Sequence, residues 1–291
     1  MTQSLINSDG RVLAAIDPSV YAGSVAGHAA WAATRLGAEL ELLHVIARDP
    51  GIAPPDLSGN LSMDTTQALL GELAALDEQR AKIAQAHGRE LLQQLQSDVT
   101  AMPGLTATLS QRHGVLVDTL LDLEKDTRLI VIGKRGEHAD FAKGHLGSNL
   151  ERVVRAVHRP VLVAAREFKP INRFLVAFDG SATTRKCIEM ICASPLLRDT
   201  ECHVLMVGED TTAHRDALAW AQAQLTQAGF APTMHLQQGS ADATIARHVD
   251  ELKANLLVMG AYGHSRIRAM ILGSTTTQLL RTCHIPVLLL R

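Results

Sequence analysis

Aromatic residues are scarce: five Phe, two Tyr and two Trp amount to 3% of the 291 residues. The interior must therefore be filled by Ala, Leu and Val, within an apolar content of 46% that is ordinary for a globular protein. Cysteine is scarcer still. Cys187, Cys192, Cys202 and Cys283 all fall in the second half and show no CxxC or metal spacing, which leaves reduced, partly buried thiols. An excess of one charge is also missing: 28 Lys and Arg stand against 30 Asp and Glu, with no basic run, so a nucleic-acid footprint is not expected. No apolar run approaches membrane-spanning length, and Met1-Thr-Gln-Ser-Leu-Ile-Asn-Ser lacks the apolar stretch of a signal peptide. A cytoplasmic protein without a membrane partner is the expectation. The 13 histidines are scattered singly with no HExxH pattern, so no metal site is assigned. A GxxxxGK[ST] loop is absent too, as is any nucleophile-with-base motif.

What the chain does have is a glycine-rich connection. The apolar run Asn255-Leu-Leu-Val-Met259-Gly260 reads as a buried strand, and Gly263 and Gly273 follow with nine residues between them. Ser274-Thr275-Thr-Thr-Gln-Leu-Leu then reads as a helix start, with hydroxyl residues where backbone amides need partners. A strand, a glycine loop and a helix N-terminus suit a phosphate, because glycine lets the backbone approach and the helix end presents unpaired N–H groups. A turn-rich connection with no ligand would use the same residues.

The pattern occurs twice. Ile130-Val-Ile-Gly133-Lys134-Arg135-Gly136 precedes Gly144-His-Leu-Gly147-Ser148-Asn149 in the first half. Arg11-Val-Leu-Ala-Ala-Ile-Asp17-Pro-Ser19 matches Arg173-Phe-Leu-Val-Ala-Phe-Asp179-Gly-Ser181 at an offset of 162, and His158-Arg-Pro160 matches His284-Ile-Pro286. Register held across several strands means a tandem duplication. The expected domains are 1–168 and 170–291, joined by Glu167-Phe-Lys-Pro-Ile-Asn. The offset drops to 127 at the glycine loop (Gly133 to Gly260), so the first domain carries an insertion over 48–96. That insertion opens on the Pro/Gly stretch 49–60 and continues as a long helical pattern, with Leu69, Leu73, Leu76, Ile83, Leu91 and Leu95 on roughly one face. A lid over a site and a solvated insertion both fit it.

Expected strands are 11–16, 39–45, 105–110, 128–132 and 160–164, then 173–178, 202–207, 233–237, 256–260 and 286–290. Helices are expected over 182–194, 212–228, 241–253 and 274–282 of the second half. Near-continuous apolar strands alternating with helices imply an α/β fold of two doubly wound, Rossmann-like domains. Each is a five-stranded parallel sheet, ordered 3-2-1-4-5, with helices on both faces. The ligand crevice then lies at the carboxyl ends of strands one and four. Those ends carry Asp17 and Gly133, and Asp179 and Gly260.

Two glycines at x2 spacing, then x9 and Gly-Ser, opposite an Asp that ends strand one, resemble the universal stress protein family. The resemblance covers nearly the whole chain as two copies. It implies a stress-response regulator that binds ATP together with Mg²⁺. It places the nucleoside end at Asp179 and Val207, the ribose beside Met259 and Gly260, and the phosphates at Gly263, Gly273, Ser274 and Thr275. The first half retains Asp17, Val45, Gly133, Gly136, Gly147 and Ser148, but ten residues separate Gly136 from Gly147, and Asn149 replaces the hydroxyl of Thr275. Lys134 and Arg135 are read either as positive charge near its phosphates or as a solvated loop tip. The second site is expected to bind at least as well as the first. No catalytic residue is assigned, and hydrolysis, if any, is expected to be slow. An interaction module with empty crevices and a slow ATPase remain open alternatives.

Each half ends in an apolar strand after a proline, and such an edge invites pairing. The two final strands are expected side by side and antiparallel, with Val161 and Val287 near the axis of an intramolecular pseudo-dimer. A homodimer of the whole chain and an unknown protein partner are compatible with this.

Overall fold

The computed structural model describes residues 9–47, 63–101, 104–136, 147–261 and 273–290; the side chains of 63–70 and of Ser148 lie outside it. The first half comprises β1 (Arg11–Ile16), α1 (Ala22–Leu36), β2 (Leu40–Ile46), α2 (Met63–Thr100), β3 (Ala107–His113), α3 (Leu116–Leu123), β4 (Thr127–Gly133), α4 (Ser148–Ala156) and β5 (Val161–Ala164). The second comprises β6 (Arg173–Ala177), α5 (Ala182–Ala193), β7 (Glu201–Val207), α6 (Thr212–Gln227), β8 (Thr233–Gln237), α7 (Ala241–Glu251), β9 (Leu256–Gly260), α8 (Ser274–Thr282) and β10 (Val287–Leu290).

Within each half every strand pairing is parallel, in the order 3-2-1-4-5. The two sheets are not separate. β5 and β10 pair antiparallel and join them into one ten-stranded sheet ordered β3-β2-β1-β4-β5-β10-β9-β6-β7-β8. Each apolar terminal strand thus gives the other the hydrogen-bond partners an edge would lack. The register pairs Leu162 with Leu288, flanked by Val161 with Leu289 and Val163 with Val287. The approximate two-fold therefore passes at Leu162 and Leu288, not at the expected Val161 and Val287. Pro160 and Pro286 stand just ahead of the strands, and the register centres on the second residue of each, one residue from the valines.

Alternating strand residues feed two cores that run unbroken across the seam. Val12, Ala14 and Leu162 share one with Val176 and Val258; Leu13, Ile130 and Val163 share the other with Leu257 and Met259. On the first face α1 presents Ala26, Ala29, Ala30 and Ala33, all buried. Small side chains let that helix approach the sheet closely, which is how so few aromatics suffice. The joining segment is also packed: Phe168 meets the His28 ring edge-on at 4.9 Å, and a Cβ on Gly27 would lie 3.0 Å from Phe168.

The expected apolar face of the insertion is only partly a core face. Gly88, Leu92, Leu95 and Val99 are buried, whereas Leu76 is 52% and Ile83 62% exposed. The reason is length. At 38 residues α2 is about 57 Å long, against about 24 Å for the 16 residues of α6, its counterpart. The helix outruns the sheet, and residues 74–87 are exposed. The Pro/Gly stretch 49–60 lies outside the described residues.

Candidate functional site

In both halves the helices that follow the first and fourth strands pack on opposite faces of the sheet, α1 and α5 in one core and α4 and α8 in the other, and the strands themselves are neighbours. This opens a crevice at the carboxyl edge. In the first half the crevice is built on direct contact. A Cβ on Gly136 would lie 3.0 Å from Asp17 Oδ2, so the glycine loop lies against the carboxylate that ends β1. Asp17 Oδ1 accepts from the Ser19 hydroxyl at 2.5 Å and from the Ser19 N–H at 3.3 Å, which sets its orientation. Gly147 closes the loop: its N–H donates to the Lys134 carbonyl at 3.3 Å, and a Cβ there would approach Arg135 Cα to 3.4 Å. Gly147 is also the N-cap of α4 and supplies no side-chain acceptor to the first turn. Uncapped amides at a helix start suit an anion. Asn149 is exposed beside them, and Val45 stands half-buried at the end of β2 on the same edge.

Gly133 is needed for a second reason that sequence reasoning missed. A Cβ there would lie 3.0 Å from the Tyr21 Cβ, so Tyr21, at the start of α1, roofs the end of β4. The expectation for Lys134 is corrected. Its side chain is 7% exposed and turns from the crevice into the seam, where its ammonium donates to the carbonyls of Cys283 and Ile285 in the second half, the latter at 3.0 Å. Burial lowers its pKa to about 8. Lys134 ties the first glycine loop to the segment that leads into β10 and adds no charge to a phosphate site. Arg135 is half-buried at the loop.

In the second half Asp179 Oδ1 accepts from the Ser181 N–H at 2.9 Å and the Thr184 hydroxyl at 2.7 Å, while Ser181 caps α5 by accepting from the Thr184 N–H. Thr184 was not among the expected residues; its spacing from Ser181 in a capping position was the available signal. Ala22 occupies the equivalent position of the first half, so the two aspartates are held differently. Val207 ends β7 half-buried. Met259 is buried, packed with Leu257 and Leu289, so only its backbone faces the crevice. The Gly260 carbonyl accepts from the buried Thr276 hydroxyl at 3.4 Å, and the Ala261 N–H donates to Leu290, which fixes α8 against the end of β9. Gly273 is the N-cap of α8 without a side-chain acceptor, Ser274 is exposed and Thr275 half-buried. Gly263 lies outside the described residues, as does the rest of 262–272.

Other reactive groups lie elsewhere. Burial pushes the Cys187 and Cys202 thiols up to about 12, which makes neither a nucleophile. The scattered histidines are not all solitary. His203 Nδ1 lies 3.1 Å from His235 Nε2, His203 Nε2 lies 2.9 Å from Glu201, and the His248 ring meets His235 edge-on at 5.8 Å. Strands pairing residues 203 and 233 bring this cluster together near the amino ends, away from the crevice. Among the described residues no group of His, Cys, Asp and Glu is placed to hold a metal ion, and no helix is long and apolar enough to cross a membrane.

Comparison with known proteins agrees with the duplicated crevice. The family model described as the universal stress protein family matches twice, over residues 10–165 and 170–291. A universal stress protein of Synechocystis sp. is 36% identical over 285 residues, covering 96% of this chain and 99% of that protein. A universal stress protein structure from Archaeoglobus fulgidus superposes with a TM-score of 0.69 at 22% identity, covering 99% of both chains. A solved structure from Pseudomonas aeruginosa gives 0.64 at 19% identity, over 97% of this chain and 94% of that one. Two copies of one crevice in one continuous sheet, matched along their whole length, place this chain in the universal stress protein family as a tandem member.

Proposed function

We propose that this chain is a cytoplasmic, nucleotide-dependent stress-response regulator that binds ATP with Mg²⁺ at the carboxyl edge of each half, the copies dividing at 168–170. The contact of Gly136 with Asp17 carries the reading. It brings a strand-one carboxylate, a glycine loop and the uncapped start of α4 to one crevice. In this assignment Asp17 and Val45 receive the nucleoside, and Gly133, Gly136, Gly147, Ser148 and Asn149 surround the ribose and phosphates. The second half repeats it with Asp179 and Val207, then Met259 and Gly260, then Gly263, Gly273, Ser274 and Thr275. The donors fit a polyphosphate: backbone amides at a helix start and glycines that admit close approach. The second site is the stronger, because its x9 loop and Thr275 keep the family pattern that the first half loosens, and because Lys134 is spent on the seam.

Denaturing the purified protein and chromatographing the released small molecules tests whether it carries nucleotide. Calorimetry with Mg²⁺-ATP then separates the sites. Gly263→Val is expected to remove the tighter site and Gly136→Val the weaker one, with unchanged circular dichroism in both. Wild-type affinity and stoichiometry in Gly263→Val would remove the phosphate-loop assignment, and binding confined to the first half would reverse the ranking.

A further inference from the structure

Residues 85–99 of α2 lie on the sheet, and residues 74–84 do not. A Cβ on Gly88 would fall 2.4 Å from both His44 and Gln111, so the helix touches the strands closely there. Gln111 donates to the Gln85 carbonyl at 3.0 Å, and Gln96 donates to the Ala107 carbonyl at 2.6 Å. Residues 85–88 are therefore level with the carboxyl ends of β2 and β3, and residue 96 is level with the start of β3. Residues 74–84 run past the carboxyl edge, and every residue from 74 to 87 is exposed. Most helical stability in proteins comes from packing of an apolar face, so burial of these apolar residues would stabilise the projecting stretch.

Those residues form a seam. Leu73, Leu76 and Ile83 recur at intervals of three and seven, the spacing of one face of a two-helix contact. Charge is sorted along the same stretch. Residues 71–79 hold Glu72, Asp77 and Glu78 and no base, while residues 80–89 hold Arg80, Lys82 and Arg89 and no acid. The Glu78–Lys82 pair within the helix, at 2.7 Å, is open to solvent competition and settles little.

We propose that this projecting part of α2 is a homodimer interface, in which it packs antiparallel against the same segment of a second copy of the chain. With Leu76 opposite Ile83 of the second copy, the two-fold axis passes between Gln79 and Arg80. The acidic stretch of each helix then lies beside the basic stretch of the other, and the helix dipoles oppose. A parallel pairing would set like charges together and is disfavoured. The contact is isologous, and α6, at 16 residues, offers no second such projection, so assembly closes at two chains.

Sedimentation velocity of the full chain over a range of concentrations reads the proposal. The wild type is expected at twice the chain mass, and the double variant Leu76→Asp, Ile83→Asp at the mass of one chain, with a cooperative thermal transition retained to show that the sheet is folded. Orientation is read by mild oxidation of single-cysteine additions. Gln79→Cys, beside the axis, is expected to cross-link to itself, and Glu72→Cys is not. A wild type that stays monomeric at every concentration overturns the proposal, including the case in which α2 serves only as a lid on its own chain. So does a dimer that survives Leu76→Asp, Ile83→Asp. Cross-linking at both positions overturns the antiparallel arrangement.

Discussion

Replacing His28 with leucine should flatten a specific part of the acid stability curve. His28 lies in α1 with 0% exposure. Its Nδ1 is 2.8 Å from the Ser24 carbonyl, which fixes that nitrogen as the protonated one. Its Nε2 has no hydrogen-bond partner, and the ring packs edge-on against Phe168. A second proton would therefore place a charge in an apolar pocket with no acceptor. Burial lowers the pKa from 6.5 to about 4, against a smaller upward pull from the Ser24 carbonyl. The unfolded chain takes up the proton first as pH falls, so protons favour unfolding. The stability is complete above pH 6.5, is lost progressively below it, and levels off at about pH 4. Between those two values the free energy falls by about 1.4 kcal/mol for each pH step of one, so the loss is about 3 kcal/mol. His28→Leu has a constant cost from the lost Ser24 bond and no titration. Urea unfolding of both proteins at steps from pH 7.5 to 4.5 cancels the carboxylates, which titrate in each. The stability advantage of the wild type over the variant should shrink across this range by most of that amount. A difference that stays flat, or an imidazole resonance of His28 titrating near 6.5, would refute the reasoning.

Leu288→Asp should break the seam: it places a carboxylate at the centre of the β5–β10 pairing, opposite Leu162, where the native side chain is 3% exposed. The lost burial alone amounts to about 2–3 kcal/mol, and small-angle scattering should show separated halves or the protein should precipitate. A compact, soluble variant would argue that the pairing is not required. Lys134→Met should leave the carbonyls of Cys283 and Ile285 without their donor and lower the melting temperature, for a cost of about 1–3 kcal/mol. Since the amine is in the seam and not in the crevice, ATP affinity measured by calorimetry should fall far less than in Gly136→Val. An equal loss in both would return Lys134 to the phosphates.

The strands before the glycine-rich stretches, the aspartates after strand one and the proline-led terminal strands were legible as sequence, because each is a local pattern with a local cause. An apolar run of the length of Asn255–Gly260 must be buried, and the hydroxyl-rich stretch from Ser274 starts a helix. The duplication made the fold legible too, since two copies of one strand order constrain each other. What lay beyond sequence was set by contacts between distant segments. Apolar periodicity marked one face along all of α2, yet periodicity reports what a helix could bury and not how far the sheet beneath it extends: Leu92, Leu95 and Val99 are buried, while Leu76 and Ile83 are exposed. Lys134 read as a phosphate cation because it sits in the loop, but the antiparallel pairing of β5 with β10 brings the carbonyls of Cys283 and Ile285 within its reach and draws the amine away. His203, His235 and His248 are scattered along the chain and become neighbours only through strand register and the packing of α7. Local burial and turn chemistry thus determined the elements, the repeat and the place of the crevice, because they depend on nearest residues. Tertiary structure decided which side chains enter that crevice and which hold the halves together, because a polar side chain goes to whichever partner the fold delivers.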